Sequence, residues 1–219
     1  DNGRVLLNPL NQPINIVSLG SEFGGMDVIA TGPGQDYILG GDLGDDIQSA
    51  AGKDLVLGDH GELIWNDAVL PPYLSEIRTS DPLYAGDDHI DGGDHTDVIF
   101  GGSGGDIIDG GTDNRSDIAV GDNGYALFDS QGRMIEFSTA DHEHGGGDII
   151  TTADGRDYVV GGTDDDILTT NGGNDMVLGD TGNLTWSGSY DPPILVEITS
   201  PSQETAHGGD DTIDSGEGN

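Results

Sequence analysis

Thirteen of the chain's 34 aspartates fall on a nine-residue beat. Asp27, Asp36, Asp45 and Asp54 form one run. Asp88, Asp97 and Asp106 form a second, closed by Asp117 after two extra residues, and Asp148, Asp157, Asp166 and Asp175 form a third. Asp211 opens a fourth. Carboxylates repeated this regularly are hard oxygen donors, and stacked carboxylates repel one another unless a cation lies between them. With carbonyl oxygens from intervening turns, such a set suits Ca²⁺ at six- to eightfold coordination better than a soft or transition metal.

The residues around each aspartate show what must position it. Two places after it stands an aliphatic residue, as in Ile29, Ile38, Ile47, Val56, Ile90 and Ile99. Two places before most of them stands glycine: Gly25, Gly34, Gly52, Gly86, Gly104, Gly146, Gly155, Gly173 and Gly209. The glycine-rich part of the unit can make a tight turn, since glycine accepts positive φ and close backbone approach. The remaining x-U-x triplet, with U aliphatic, is one short strand whose middle side chain points inward. Two units complete a flattened coil, so residues eighteen apart stack: Asp27 on Asp45, Asp36 on Asp54, Asp88 on Asp106, Asp148 on Asp166, Asp157 on Asp175. A fixed short period of this kind overrides ordinary secondary-structure reading.

The units Gly34-Gln35-Asp36-Tyr37-Ile38-Leu39-Gly40-Gly41 and Gly101-Gly102-Ser103-Gly104-Gly105-Asp106-Ile107-Ile108 resemble the RTX nonapeptide G-G-x-G-x-D-x-U-x. The resemblance covers somewhat over half of the chain. It implies an all-β fold, a right-handed parallel β-roll, here with inserted β-hairpins. It further implies a secreted bacterial protein exported through a type I pathway, disordered without calcium and folded with it. No single activity is implied, because toxins, proteases, lipases, epimerases and adhesins carry such arrays.

Composition agrees independently. Acids number 42 against 6 Lys and Arg, a formal charge of −36. Aspartate dominates glutamate, which suits ligands on short turns better than a solvated helical face. Charge this high with so few large aliphatics places the bare chain among disordered sequences. The aliphatics are nevertheless in register with the aspartates, so a core exists once the charge is cancelled, and metal binding becomes folding free energy. There is no cysteine, hence no disulfide framework. Nothing reads as a signal peptide, lipidation motif or membrane span. A pI near 4.1 excludes nucleic acid as a natural partner.

A longer period lies above the nine. Asp1-Asn2-Gly3, Asp59-His60-Gly61, Asp122-Asn123-Gly124 and Asp180-Thr181-Gly182 recur at intervals of 58, 63 and 58. After each come a short apolar strand, a polar or proline-containing loop and a return strand. Asp129-Ser130-Gln131-Gly132 is the clearest turn. The reading is a hairpin over 1–24, a roll block over 25–58, a hairpin over 59–85, a block over 86–121, a hairpin over 122–145, a block over 146–179, a hairpin over 180–207 and the start of a block over 208–219. The hairpins are expected to be flaps that pack Trp65, Phe128 and Trp186 against the roll. The chain reads as a fragment of a longer array, monomeric as such, whose partners are Ca²⁺ and neighbouring repeats.

Other chemistry is weakly signalled. Gly101 to Gly105 matches G-x-S-x-G, but no strand–turn–helix context surrounds it. His142 and His144 flank Glu143 without a third metal ligand at a convincing spacing. Asp87 to Gly92 imitates an EF-hand opening, yet its twelfth position is Val98. Asp81-Pro82 and Asp191-Pro192 are ordinary turn chemistry. Leu43, His95 and Asp164 stand where glycine is expected, which puts Asp97 in question and makes Asp46 an alternative to Asp45.

The expected metal ligands are the thirteen beat aspartates together with Asp59, Asp122 and Asp180, and the carbonyls of the nine glycines named above. Asp59, Asp122 and Asp180 replace the second glycine at the end of each block, either to hold a last ion or to cap a turn. Roughly six to nine ions are expected, each with about six oxygens. The functional expectation is a non-enzymatic, calcium-dependent structural segment of a large secreted or surface-attached protein. Alternatives are an accessory module of a secreted enzyme and an adhesive surface.

Overall fold

The computed structural model describes residues 3–19, 24–84, 86–187, 194–200 and 208–218. Among these, every regular element is a strand. Two parallel sheets form the body. One has six strands, in the order Met176–Asp180, Tyr158–Gly162, Ile118–Asp122, Val98–Gly102, Leu55–Leu57 and Tyr37–Leu39. The other has seven, in the order Thr212–Asp214, Ile167–Thr169, Ile149–Thr151, Ile107–Asp109, His89–Asp91, Asp46–Gln48 and Val28–Ala30. Successive units alternate between the two sheets, as a β-roll requires. Hydrogen bonds run from coil to coil in register, Val98 opposite Leu55 on one side and Ile118 on the other.

The aliphatic residue of each unit points between the sheets. Ile38, Ile47, Val56, Ile90, Ile99, Ile108, Ala119, Ile150, Val159 and Leu168 form this inner core, nearly all of it sealed from solvent. Each Ile or Leu buried here stabilises the fold by about 2 kcal/mol.

The hairpins do more than flap. Their eight strands make one continuous antiparallel sheet, Gly3–Leu7, Pro13–Ser18, Gly61–Asn66, Tyr73–Thr79, Gly124–Phe128, Met134–Thr139, Asn183–Ser187 and Ile194–Thr199. Each hairpin pairs with the next, Ile77 opposite Ala126 and Phe137 opposite Leu184. This sheet lies on the outer face of the six-stranded sheet. Leu55, Leu57, Val98, Phe100, Ile118, Val120 and Val160 meet Leu63, Trp65, Ile77, Ala126, Phe137, Leu184 and Trp186 in a second core, with Phe128 at its margin. The six-stranded sheet is therefore covered on both faces, the usual state of parallel strands, whereas the seven-stranded sheet leaves one face to water. The triplets show the difference: Leu55-Val56-Leu57 in the covered sheet is apolar throughout, while Asp46-Ile47-Gln48 in the open one is apolar only at its centre.

The three glycine substitutes keep the turn by adopting the backbone glycine would have used. φ is +63° at Leu43, +89° at His95 and +66° at Asp164. Asp45 accordingly stays in step, 3% exposed, while Asp46 points outward to His89 at 3.2 Å.

Candidate metal centres

Each beat aspartate immediately precedes a strand, which places it at the corner between sheets. Asp27, Asp45, Asp88, Asp106, Asp148, Asp166 and Asp211 lead into the open sheet and stack along one edge. Asp36, Asp54, Asp97, Asp117, Asp157 and Asp175 lead into the covered sheet and stack along the other. Along both edges one hydrogen bond repeats: the backbone N–H of each aspartate donates to the Oδ1 of the next aspartate in its column. Asp27 donates to Asp45 (2.6 Å), Asp36 to Asp54 (2.8 Å), Asp88 to Asp106 (2.7 Å), Asp148 to Asp166 (2.8 Å) and Asp157 to Asp175 (3.0 Å). These are the pairs eighteen apart.

The columns also run straight across the hairpins. Asp45 donates to Asp88 and Asp54 to Asp97, each 43 residues on. Asp106 donates to Asp148, Asp117 to Asp157 and Asp166 to Asp211. Asp97, next to the irregular turn at His95, remains in its column and donates to Asp117 at 3.0 Å, with Asp113 accepting the His95 N–H at 2.7 Å.

Eleven of the thirteen carboxylates thus have Oδ1 engaged, and at most column positions the other oxygen is stranded. The Oδ2 atoms of Asp36, Asp45, Asp54, Asp88, Asp97, Asp106, Asp148, Asp157, Asp166 and Asp175 are buried with no hydrogen-bond partner. Burial, with like charge on the column neighbours adding to it, pushes Asp45 to about 6, Asp88 to about 7, Asp97 and Asp166 to about 8, and Asp148 to about 9. Asp106 is held well above the usual carboxylate range, first by burial and then by Asp148. Adjacent coils are spaced by about 4.8 Å, so two ionised neighbours repel by about 3 kcal/mol at an effective dielectric near 20. A single N–H bond to a charged acceptor returns about 1.5–3 kcal/mol and does not cover burial as well. When ionised, the columns need a cation.

The space beside the stranded oxygens fits one. Along the first edge, a Cβ on Gly40, Gly58, Gly101, Gly121 or Gly161 would overlap the Oδ2 of Asp45, Asp88, Asp106, Asp148 or Asp166. The same Cβ would overlap the carbonyl oxygen of the matching glycine one coil on: Gly58, Gly101, Gly121, Gly161 or Gly179. Carboxylate and carbonyl therefore converge on each glycine, in a cradle that any side chain would fill. The sequence reading missed these carbonyls, although a glycine follows every covered-sheet triplet. Along the second edge, the anticipated carbonyls of Gly34 and Gly155 face Gly52 and Gly173 beside the Oδ1 of Asp54 and Asp175. The carbonyls of Gly86 and Gly104 face Gly104 and Gly146 of the following coil, and Gly209 abuts the Asp164 carbonyl. Nothing lies within 4 Å of a Cβ placed on Gly25. No three His, Asp or Glu side chains converge on one point among the described residues. The donor set is a carboxylate oxygen with turn carbonyls, the hard, oxygen-only chemistry of Ca²⁺.

The block-end aspartates are arranged differently. Asp59 accepts the N–H groups of Gly86 (3.2 Å) and Ser103 (2.6 Å), one on each oxygen. Asp122 accepts those of Gly146 (3.0 Å) and Thr163 (2.5 Å) and the Thr163 hydroxyl (2.8 Å). Burial raises Asp59 to about 8 and Asp122 to about 6. Asp180 is exposed and lies against Gly208. Beside Asp59, His60 is buried with Nδ1 3.3 Å from Asp42, where the equivalent Asn123 donates to Ser103 Oγ at 2.7 Å. That Ser103, centre of the G-x-S-x-G match, is committed to structural bonds.

A parallel coil with an acidic column along each edge defines a cation-bridged β-solenoid. Four copies of the RTX calcium-binding nonapeptide repeat match residues 23–56, 84–117, 151–183 and 205–219, more than half of the chain, and the protein belongs to that family. It is a calcium-binding repeat protein with multiple Ca²⁺ sites. No curated protein and no solved structure matches it. No helix among the described residues is long and apolar enough to cross a membrane.

Proposed function

We propose that the two aspartate columns are rows of Ca²⁺ sites, and that filling them converts an expanded chain into a stiff structural segment of a secreted or surface-attached protein. The observation that carries this reading is the set of stranded, buried Oδ2 atoms repeated from coil to coil. Each ion lies between consecutive column aspartates and takes an Oδ2 with turn carbonyls. The columns contain eleven hydrogen-bonded neighbour pairs. That raises the ceiling above the expected six to nine ions, because every step along both columns, across the hairpins included, offers a site. Asp59 and Asp122 act as clasps that tie the next block to the end of the previous one, since both of their oxygens already accept N–H groups.

The role is non-catalytic. Ser103 Oγ accepts from the Asn123 amide, a structural bond that joins the roll to the hairpin strand after it. Millimolar calcium outside the cell and its scarcity inside would confine folding to the extracellular side, which suits the weak affinity of extracellular modules. Neighbouring repeats of the same parent chain are the natural partners. The test is circular dichroism and hydrodynamic radius against free calcium. At pH 8, a cooperative gain of strand signal with compaction supports the reading; a spectrum and radius indifferent to a chelator there overturn it.

A further inference from the structure

The covered sheet and the hairpin sheet do not meet everywhere. Between them lies a cavity of about 380 Å³, within the range of small-molecule sites. Tyr37, Trp65, Tyr73 and Phe128 line it, four of the chain's twelve aromatic residues.

The gap has a cause in the repeat. In the first and third repeats a tyrosine of the covered sheet stands edge-on to a hairpin tryptophan, Tyr37 to Trp65 at 5.5 Å and Tyr158 to Trp186 at 5.2 Å. The middle repeat has Val98 at the tyrosine position and Phe128 at the tryptophan position. A smaller pair replaces a larger one, and space opens beside Val98. The Tyr37 and Trp65 planes stand at 89° to one another, as two walls of a box do.

We propose that this cavity binds a small organic ammonium ion, its cationic head held among the aromatic rings. Aromatic faces attract cations by about 0.5–2 kcal/mol, most strongly where water is excluded. The formal charge of −36 stays negative even with all eleven column sites filled by Ca²⁺, and so draws cations to the protein and repels anions. Gln35 and Thr96 supply oxygen acceptors in the lining. One lining group opposes the ligand: Lys53, the chain's single lysine, is exposed at the cavity. Its flexible stem lets the ammonium swing into solvent, and its charge gives the proposal a signed test.

The probe is choline, titrated by calorimetry into the calcium-loaded chain beside its neutral isostere 3,3-dimethylbutan-1-ol. Choline should bind about tenfold more tightly than the alcohol. Val98→Tyr, which restores the packing of the flanking repeats, should abolish binding, and Lys53→Gln should tighten it about twofold to threefold. The calcium response of each variant, followed by circular dichroism, separates loss of this site from loss of the calcium-dependent fold on which it rests. Equal binding of the alcohol, choline binding undiminished in folded Val98→Tyr, weaker binding in Lys53→Gln, or no choline binding overturns the proposal. Phosphatidylcholine vesicles form a second arm: co-flotation assigns a lipid head group as the source and its absence a free ion, with choline binding carrying the proposal in either case.

Discussion

Calcium and protons should compete for the same oxygens, and the competition sets a pH dependence opposite to that of most proteins. Asp88 is raised to about 7, and Asp97 and Asp166 to about 8, by burial and by their column neighbours. In the unfolded chain these carboxyls titrate near 3.9. A three-unit difference for Asp88 corresponds to about 4 kcal/mol at 1.36 kcal/mol per unit, and halving it for water reaching the turns still leaves about 2 kcal/mol. A handful of such groups outweighs the usual net stability of about 5–15 kcal/mol. The folded pKa lies above the unfolded one, so the metal-free fold binds more protons than the coil. Its stabilisation is complete below about pH 4 and is lost as pH rises through 7 to 8. The assay is circular dichroism of chelator-treated, dialysed protein between pH 4.5 and 8, with and without calcium. Strand signal should fall with rising pH in the metal-free samples and persist with calcium. Adding calcium near pH 5 in weak buffer, where the metal-free fold still holds these protons, should release them. A metal-free protein as ordered at pH 8 as at pH 4.5, or calcium uptake without proton release, refutes the argument.

Three further outcomes follow from the geometry. Gly58→Ala should disable the site at Asp88, because its Cβ would occupy the cradle between Asp88 Oδ2 and the Gly101 carbonyl; calcium stoichiometry should drop by at least one ion. Leu43→Gly should stabilise the calcium-loaded fold by about 1 kcal/mol in thermal melts, since Leu43 is 51% exposed and sits at φ +63°. Phe137→Ala, in the core under the hairpin sheet, should cost about 3–5 kcal/mol by denaturant melt in calcium while leaving calcium stoichiometry unchanged.

Periodicity made the roll legible in the sequence alone. A beat aspartate followed two places on by an aliphatic placed Ile47 and Ile90 in the inner core and paired Asp27 with Asp45, because a nine-residue unit with period-two strands admits few other arrangements. Continuity across the hairpins was hidden: Asp45 meets Asp88 43 residues on, and chain spacing says nothing about how far a hairpin carries the backbone before returning it. The covered face was present in the sequence, in Leu55 and Leu57 or Val98 and Phe100 flanking their central aliphatics where Asp46 and Gln48 flank Ile47. Exposed Ile107, Ile149 and Ile167 on the open sheet blur that contrast. The glycine carbonyls beside the stranded oxygens were marked only by the glycine after each covered-sheet triplet, and a repeated turn shape does not say which carbonyl it aims inward.

The sheet of joined hairpins also governs how the segment answers tension. One super-repeat spans 58 to 63 residues yet adds only two coils, about 10 Å of axis. Fully drawn out, the same stretch reaches about 200 Å. The coil-to-coil hydrogen bonds lie along the axis, so a pull applied there opens coils one after another instead of shearing a whole sheet at once. Each super-repeat that gives way pays out about twentyfold its folded length, which makes a short, thick bar into a long and yielding tether.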